Sequence, residues 1–443
     1  MPVMLVMKFG GTSVGSAERI RTVAKIVNAA RKRSPVVVVS AVTKMTDALI
    51  ALANECIAGK DASFQKILDT HAQILSDLKL PTRLLDGDFA ELRSLVAKAK
   101  KSKKLGAKSL DHFQSFGERM SSKIVAAHMN SLGMGAQAFN AWDLGMITDD
   151  NFGSAEPLEP SYAALGKHIS KLSLIPVITG FLGKTKKGEI TTLGRGGSDY
   201  TGAIIGAAIN AEAIQIWTDV NGIMTTDPRI VPNAQTIPEL AFEEACELAY
   251  FGAKVLHPKT ILPAMEKNIP VQVLNTLQPK NKGTTIVSTF GSRIKSAAAV
   301  EALSYKKNVT IIHIRSPAFF DGSGLMAGIF SLFEKYKKSV DVVSTSVVSV
   351  SLTVDSDDKV EDIAKDLAQF GSIDIVKGKA IVCAVGGRAR TAAVAATIFG
   401  VLGNNNIKVE MISQASSGIS ITFVVDNHYA QKAIALLHKE FFW

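Results

Sequence analysis

Cysteine is scarce in this chain of 443 residues, which contains only Cys56, Cys246 and Cys383 and no CxxC pair. Three cysteines cannot all pair within one chain, so the count indicates a reduced compartment and we expect a cytoplasmic protein. Long apolar runs are also missing, because no stretch approaches the ~18 residues that a membrane-spanning helix needs. No basic segment precedes the apolar start of the chain. We therefore expect neither a targeting segment nor membrane attachment.

Metal-binding motifs are likewise absent, since the eight histidines never occur at the spacing of HExxH or a related motif. Two common phosphate-binding patterns, GxxxxGK[ST] and GxGxxG, do not occur either. We therefore expect no metal site built from a direct motif, and any phosphate-binding loop must be of another type.

Acidic residues are outnumbered, with 40 acidic against 50 basic side chains and a formal net charge of +10. A nucleic-acid binder is one interpretation, and a protein that handles anionic substrates is another. The densest basic cluster comprises Lys98, Lys100, Lys101, Lys103, Lys104 and Lys108. No aromatic residue interrupts this cluster, so it lacks the stacking surfaces typical of single-strand binding and is better explained as a solvated helix end.

The first 40 residues follow a strand–helix–strand pattern. An apolar strand over residues 3–9 ends at two glycines, a helical repeat follows Ser16, and residues 36–39 are four valines. This order predicts a βαβ unit with parallel strands. Further strand and helix patterns extend it, so we expect residues 1–287 to form one α/β domain with a mainly parallel sheet between two helical layers.

An internal repeat follows a predicted linker at residues 288–302. Ile329 aligns with Ile398 at an offset of 69 residues, and in the same frame Ser344 faces Ser413 and Ser351 faces Ser420. Each copy has the pattern helix, turn, two strands, helix. We expect one repeat at residues 303–378 and the other at residues 379–443.

Two glycine-rich loops each join a predicted strand to a helix. In the first, Gly10 and Gly11 follow Lys8, and their amides could approach an oxyanion closely. A plain tight turn explains the glycines equally well. In the second, residues 194–199 add an arginine that could bind a carboxylate and an aspartate that could hold Mg²⁺ or orient Lys8. Ser198 in this loop could cap the helix.

Two weaker motifs complete the set. Residues 217–229 contain Asp219 and Arg229, candidates for nucleotide contacts, although Asn-Gly and Asp-Pro are also ordinary turn formers. Glu118 lies in a helical segment and could recognise a substrate ammonium group. Without further context, a surface charge pair of Glu118 with Arg119 is the simpler interpretation.

The motifs KFGGTSV (from Lys8), TLGRGGSDYT (from Thr192), WTDVNGIMTTDPR (from Trp217) and FGAKVLHP (from Phe251) together resemble aspartate kinases of the amino acid kinase superfamily. The resemblance extends over nearly the whole chain, and the repeat resembles the paired ACT domains, βαββαβ units, of the lysine-sensitive monofunctional type. It implies phosphorylation of the L-aspartate side-chain carboxylate by MgATP. It also implies feedback regulation by an amino acid, with lysine the first candidate.

The resemblance also implies roles for single residues. Lys8 and Asp199 would be catalytic, and Mg²⁺ would arrive with ATP. The acceptor would contact Ser40, Thr46, Glu118, Arg195 and Ser198. The nucleotide would contact Lys8, Gly10, Gly11, Thr218, Asp219, Met224, Arg229 and Lys254. At Met224 the family usually has a tyrosine, but methionine can also pack on an adenine or ribose face.

For the effector, the resemblance implies a site in the first repeat formed by Phe319, Gly322, Gly324, Asp341, Thr345 and Ser346. Asp341 would be the partner of an ammonium group. Phe319 and Gly322 depart from the lysine-sensitive pattern, which commonly has Met and Ser there. The second repeat has Glu410 at the position of Asp341, so only the first repeat has a complete ligand site. ACT sheets usually associate edge to edge, so we expect a homodimer or homotetramer.

Three alternatives remain open at this point. Another amino acid kinase, such as a glutamate kinase, shares the fold but should lack the GRGGSD loop and the ACT repeat. A non-catalytic amino acid sensor should have lost Lys8, Arg195 or Asp199, which are all present. A nucleic-acid binder should show salt-sensitive binding to random DNA.

Overall fold

A computed structural model describes residues 4–252, 258–288, 299–317, 324–356, 359–387, 389, 391–414 and 418–442. The chain divides into two compact units. The first comprises Met1–Ile223, Pro238–Phe242 and Val255–Arg293, and the second comprises Met224–Ile237, Glu243–Lys254 and Ile294–Trp443. Most of the predicted linker, residues 289–298, lies outside the described residues.

The first unit is built on a mostly parallel sheet. Its strands are β1 (Leu5–Phe9), β2 (Pro35–Val39), β3 (Ala136–Phe139), β4 (Ile147–Thr148), β5 (Ile175–Thr179), β6 (Leu182–Thr185), β7 (Ile190–Thr192), β8 (Ala213–Thr218), β9 (Glu239–Ala241), β10 (Val271–Asn275) and β11 (Thr284–Val287). The main sheet has the order β3-β5-β2-β1-β8-β10-β11-β9, and β4, β6 and β7 form a small separate sheet. Only the β10–β11 pair of the main sheet is antiparallel.

Helices cover both faces of the main sheet. The helices up to residue 266 are α1 (Ala17–Ala29), α2 (Met45–Ile57), α3 (Ala62–Asp77), α4 (Asp86–Ser102), α5 (Ala107–Ser131), α6 (Pro160–Ile169), α7 (Gly197–Ala208), α8 (Phe242–Tyr250), which belongs to the second unit from Glu243 onward, and α9 (Pro258–Glu266). Leu5, Met7 and Phe9 face the core that contains α1 and α5, whereas Lys8 points to the other face, against Gly202 of α7. The alternation follows from the two-residue period of a strand. The predicted α/β/α architecture is confirmed.

Local signals in the sequence account for several elements. The Ser16 hydroxyl accepts a hydrogen bond from the Arg19 amide and caps α1, as predicted. All five residues of β2 are buried, which suits a run of β-branched valines in the middle of a sheet. The basic cluster coincides with the end of α4 and the start of α5, where most of its lysines are exposed.

The second unit contains one continuous antiparallel sheet with helices. Its further elements are β12 (Ala302–Arg315), α10 (Leu325–Lys335), β13 (Val343–Ser346), β14 (Ser349–Asp355), α11 (Lys359–Leu367), β15 (Ser372–Val385), α12 (Ala392–Asn404), β16 (Met411–Gln414), β17 (Ser420–Asp426) and α13 (Ala430–Phe442). The strand order is β13-β14-β12-β15-β17-β16. From Glu243 onward, α8 also belongs to this unit.

The two repeats share the long strands β12 and β15. The end of β12, from Val309, pairs with β14, while its start pairs with the end of β15, which also pairs with β17. Accordingly, Leu303 belongs to the core beneath α12 and α13, whereas Ile312 belongs to the core beneath α10 and α11. The first repeat is therefore inserted into the chain path of the second.

The gapless alignment of the two repeats is wrong in its last part. Ser344 pairs with Ser351 in the first repeat, but its counterpart Ser413 pairs with Thr422 rather than Ser420. The offset is therefore 69 residues up to β16 and 71 residues from β17 onward. The chain between the paired strands is two residues longer in the second repeat, and a strand pattern with period two cannot reveal an insertion of two residues.

In the part of the chain that the structure describes, no helix combines the length and the apolar character needed to cross a membrane.

Candidate active site and effector region

Lys8 forms a buried ion pair with Asp199. Lys8 lies near the carboxyl end of β1, and Asp199 lies in the first turn of α7 on the same face of the sheet. The Lys8 Nζ is 2.5 Å from the Asp199 Oδ1, and the two side chains are only 8% and 15% exposed. The two glycine-rich loops of the sequence therefore converge on one point, with Asp199 holding the ammonium group of Lys8.

Gly11 is required by close packing rather than by an unusual backbone angle, whereas a side-chain carbon at Gly10 would make only ordinary van der Waals contacts. A Cβ atom on Gly11 would lie 2.8 Å from the backbone oxygen of Ala41, and one on Gly10 would lie 3.6 Å from the Lys8 Nζ. The Gly10 amide donates a hydrogen bond to the oxygen of Trp217 in β8. A side chain at Gly11 would therefore push this loop away from the backbone of Ala41.

Glu118 is buried in α5 and has a free oxygen. Its Oε1 accepts a hydrogen bond from the Ala41 amide at 3.0 Å, whereas its Oε2 is buried without a partner. Burial raises the pKa of Glu118 to about 8, although the Ala41 hydrogen bond and the nearby Lys8 both act to lower it. The surface charge pair considered for Glu118 is therefore wrong.

One cavity of about 380 Å³ joins these groups. It is lined by residues of the first unit: Lys8, Gly11, Ser40, Ala41, Val42, Thr43, Lys44, Thr46, Asp47, Glu118, Phe181, Gly194, Gly196, Gly197, Ser198 and Asp199. The cavity lies beyond the carboxyl ends of β1 and β2, where ligands bind in open α/β sheets. Of the sequence-predicted catalytic and acceptor residues, all except Arg195 line it.

Arg195 lies on the loop beside this cavity and is exposed. The flanking Gly194 and Gly196 have φ of 77° and 70°, a left-handed conformation that glycine adopts without strain. The Arg195 side chain makes no hydrogen bond or ion pair with the residues that the structure describes, which leaves all five donors available to an anion. Ser198 does not cap α7, because the helix begins at Gly197 and Gly196 occupies the capping position.

The predicted nucleotide residues are distributed over both units. Thr218 is the last residue of β8, the neighbour of β1, and Asp219 follows it, with the Thr218 hydroxyl 3.2 Å from the Asp219 Oδ1. Met224 and Arg229 belong to the second unit, where the Arg229 guanidinium binds Asp227 and remains 75% exposed. Lys254 lies outside the described residues.

The sequence did not single out several residues of the cavity. Phe181 lies between β5 and β6 and has a φ of 67°. Its amide donates a hydrogen bond to the hydroxyl of Thr201 in α7. Lys44 is also left-handed, with a φ of 61°. No local pattern marks a phenylalanine or a lysine for this conformation, so the sequence carried no signal for either residue.

The effector region predicted in the first repeat contains a network around Asp341. Both Asp341 oxygens accept hydrogen bonds from the Lys306 ammonium, at 3.0 and 2.9 Å, and its Oδ1 also accepts one from the Tyr250 hydroxyl at 2.8 Å. Lys306 additionally pairs with Asp355 at 2.8 Å. Burial acts to lower the pKa of Lys306, but the hydrogen bonds of Asp355 and Asp341 raise it overall. Asp341 thus already binds an ammonium group of its own chain.

The remaining predicted effector residues that the structure describes lie at the start of α10 and in β13. Gly324 caps α10 with a φ of 108°, and Thr345 and Ser346 are exposed in β13. The Ser346 hydroxyl is 2.7 Å from that of Ser349. Phe319 and Gly322 lie outside the described residues.

The second repeat contains the same arrangement of charges. Lys379 pairs with Glu410 at 3.0 Å and with Asp426 at 2.5 Å, and only 8% of its side chain is exposed. Glu410 is the counterpart of Asp341, and Asp426 is the counterpart of Asp355 in the corrected alignment. In each repeat, one lysine therefore forms ion pairs with two carboxylates from other segments of the sheet region.

Among the described residues, no group of three or more His, Cys, Asp or Glu side chains is placed to hold a metal ion.

A mostly parallel sheet with a lysine–aspartate pair and close-packed glycines at its carboxyl edge defines a phosphate-handling α/β domain. In agreement, residues 3–275 match the amino acid kinase family and residues 382–441 match the ACT domain. The chain is thus a member of the amino acid kinase family with a C-terminal ACT region.

The similarity to individual proteins narrows this class. Aspartokinase 3, chloroplastic, from Arabidopsis thaliana is 38% identical over 99% of this chain and 81% of that protein. The crystal structure of E. coli aspartokinase III with aspartate and ADP (R-state) is 32% identical, with a TM-score of 0.86. The complex of that enzyme with lysine and aspartate (T-state) is 33% identical, with a TM-score of 0.79. Each of these two matches covers 99% of this chain and 100% of the E. coli chain. The chain belongs to the aspartokinase family.

Proposed function

We propose that this protein transfers the γ-phosphoryl group of ATP to the side-chain carboxylate of L-aspartate, producing 4-phospho-L-aspartate for the synthesis of lysine, threonine and methionine. The observation that carries the proposal is the unpaired, buried Oε2 of Glu118 in the cavity that also contains the Lys8–Asp199 pair. A buried acceptor without a partner suits an ammonium-bearing ligand, and the paired lysine suits a transferring phosphoryl group. The relatives that bind aspartate and ADP support the same assignment.

The acceptor is held by groups of both charges. Glu118 binds its ammonium group, and the exposed Arg195 binds its α-carboxylate through two parallel hydrogen bonds. Ser40, Thr46 and Ser198 line the cavity and provide hydroxyl groups around the acceptor. An ammonium group at Glu118 also favours the ionised carboxyl, which its burial otherwise disfavours.

The reaction requires positioning and charge stabilisation rather than a general base. A side-chain carboxylate oxygen of aspartate attacks the γ-phosphorus, the bond to the β,γ-bridging oxygen breaks, and ADP leaves with the electron pair. The attacking carboxylate is already ionised at neutral pH, so no proton has to be removed. Lys8, oriented by Asp199, offsets the negative charge on the transferring group, and the Gly10 and Gly11 backbone allows close approach of phosphate oxygens.

The nucleotide is the second substrate, and Mg²⁺ bound to its phosphates supplies further charge neutralisation. The close approach that Gly10 and Gly11 permit beside Lys8 fits a triphosphate, and Thr218 and Asp219 lie at the adjacent strand end. Met224, Arg229 and Lys254 are the further nucleotide residues of this proposal. A cytoplasmic location remains part of it.

Regulation by L-lysine at the first ACT repeat is the second part of the proposal. It is supported by the ACT match and by the lysine complex of the E. coli enzyme. Asp341 would bind an ammonium group of the effector, and Gly324, Thr345, Ser346, Phe319 and Gly322 are the further effector residues of this proposal. Because the Lys306 ammonium group binds both oxygens of Asp341, an effector ammonium would have to displace Lys306 or share the carboxylate with it.

Self-association through the ACT sheet completes the proposal. The outer strands of that sheet are β13 and β16. Val347, Val348 and Ile412, in or beside these strands, are 64%, 53% and 49% exposed. Apolar residues at a strand edge favour pairing with a second copy, which suits a homodimer or a homotetramer.

The test is ADP release from MgATP by the full chain, with and without L-aspartate and with millimolar L-lysine. We expect aspartate-dependent turnover that lysine suppresses and that Lys8→Ala abolishes. The control is Lys103→Ala, which removes an exposed lysine at the end of α4. Absence of aspartate-dependent turnover from folded wild-type protein would contradict the kinase assignment, whereas turnover indifferent to lysine would contradict only the effector.

A further inference from the structure

Lys44 has a backbone conformation that its position in the chain does not explain. It directly precedes α2 and is left-handed, with φ 61° and ψ 8°. Residues that cap the start of a helix are usually extended, as Ser16 is before α1 with a φ of −155°. Three other left-handed lysines, Lys79, Lys103 and Lys337, follow the ends of helices, where this conformation is the ordinary way to terminate a helix.

The left-handed conformation is strained for a residue with a side chain, and glycine would adopt it freely. A lysine in this conformation beside a cavity is compatible with a functional role of its side chain, because strain of this kind clusters at functional sites. Lys44 lines the cavity that contains Lys8 and Glu118. The backbone conformation and the location thus point to the same function.

The ammonium group of Lys44 is available to a ligand. The residue is exposed, and its side chain forms no hydrogen bond or ion pair within the described part of the chain. No side-chain oxygen caps the amides at the start of α2, and Thr46 and Asp47 of this first turn also line the cavity. A cation beside an uncapped helix N-terminus is suited to an anion.

The other charges of the cavity indicate which kind of anion Lys44 would bind. Lys8 is already paired with Asp199, so Lys44 is the cavity-lining lysine whose charge is not neutralised within the described residues. Glu118 has a buried oxygen that lacks a partner. An acceptor with one ammonium group and carboxylates complements this pair of opposite charges, whereas a nucleotide phosphate does not require Glu118.

We propose that Lys44 is a further acceptor-binding residue, whose ammonium group, together with the N-terminus of α2, holds a carboxylate of the amino acid acceptor. This inference rests on the proposed function. Asp47, which lies in the same turn and is exposed, is the nearest competing charge in the sequence. A carboxylate of the acceptor would give the Lys44 ammonium group a partner within the cavity.

The experiment compares Lys44→Gly and Lys44→Arg with the matched control Lys103→Gly in the full chain. Both glycine variants suit a left-handed backbone and remove one exposed lysine, but Lys103 lies at the end of α4. We measure KM for L-aspartate and for ATP, binding of L-aspartate by calorimetry, and thermal unfolding. Lys44→Gly should raise the KM and the Kd for aspartate roughly 10- to 100-fold and leave the KM for ATP within about twofold.

Lys44→Arg should recover most of the aspartate affinity, Lys103→Gly should leave it unchanged, and neither glycine variant should unfold at a lower temperature than the wild type. An unchanged aspartate KM in Lys44→Gly overturns the proposal, and so does a rise confined to the KM for ATP, which would assign Lys44 to the nucleotide. A wild type without aspartate-dependent turnover would instead overturn the proposed function on which the inference rests.

Discussion

Glu118 in the first unit and Asp341 in the second are both expected to bind a ligand ammonium group, but their surroundings differ. Glu118 accepts one amide hydrogen bond and has a buried oxygen without a partner. Asp341, whose side chain is only 2% exposed, accepts hydrogen bonds from Lys306 on both oxygens and another from Tyr250. The first carboxyl is incomplete without a ligand, and the second is complete.

This difference shows how the same side-chain chemistry can serve a substrate and an effector. An unpaired buried carboxyl resists ionisation, so a substrate ammonium that enters supplies a missing interaction. A carboxylate that already binds an internal ammonium gains little from a second one unless the first is displaced. We therefore expect substrate binding to complete a site and effector binding to rearrange one.

The largest effect should follow from Glu118→Gln. Glutamine keeps the acceptor for the Ala41 amide but cannot carry the charge that pairs with a substrate ammonium. We expect kcat/KM for aspartate to fall roughly 100- to 1000-fold, with the KM for ATP nearly unchanged. Steady-state kinetics with each substrate varied in turn measures both quantities.

The matched control for this variant is Glu91→Gln. Glu91 binds Arg119, the neighbour of Glu118 on α5, but its side chain is 42% exposed and lies on α4. An equal loss in both variants would show that the charges around α5 support its structure rather than the substrate.

A smaller effect, in the other unit, should follow from Asp341→Ala. The lysine concentration for half-inhibition should rise at least about tenfold, because the charge that recognises its ammonium group is lost. Activity without lysine should remain within about twofold, because Asp341 belongs to the second unit and Lys306 keeps its partner Asp355. Inhibition curves at fixed substrate concentrations provide the measurement, and an equal loss of basal activity would refute the separation of the two functions.

Lys306→Met should act in the opposite direction. If an effector ammonium must displace Lys306 from Asp341, removal of Lys306 lowers the half-inhibitory lysine concentration, by about tenfold. Lys379→Met is the control, because Lys379 makes the same two-carboxylate contact in the second repeat. A weaker lysine response in Lys306→Met would show that Lys306 positions Asp341 rather than competing with the effector.

Much of the fold was predictable from local patterns. The valine strand β2, the Ser16 cap of α1 and the two glycine loops each have a residue-level cause within a few positions in sequence. The insertion of two residues before β17 was not predictable, because the alternation of inward and outward side chains is the same after a shift of two. The shared strands β12 and β15 likewise depend on pairing between distant segments.

The candidate site was predictable in its residue types but not in its pairings. The glycine loops and the motif resemblance placed Lys8, Glu118 and Asp199 together, and the cavity contains all three. Nothing in the sequence indicated that Lys306 binds Asp341 or that Lys44 is left-handed. Such features depend on side chains brought together by the tertiary structure, and the charge of one residue does not identify its partner.

The smallest effect concerns the proton on Glu118, which should make substrate affinity and protein stability change with pH in opposite directions. Its pKa of about 8 keeps the carboxyl protonated at pH 7, and an ammonium ligand binds the ionised form. The aspartate KM should therefore fall about fivefold between pH 7 and pH 8.

Over the same interval the ligand-free protein should lose stability. Because the pKa is raised on folding, the stabilisation is complete below the unfolded value near 4.5 and is lost as the pH rises through about 8. Kinetics and urea unfolding across this range measure both trends, and Glu118→Gln should remove both. A wild-type KM that is constant across this range, with the stability trend intact, would show that the ligand ammonium does not bind at Glu118.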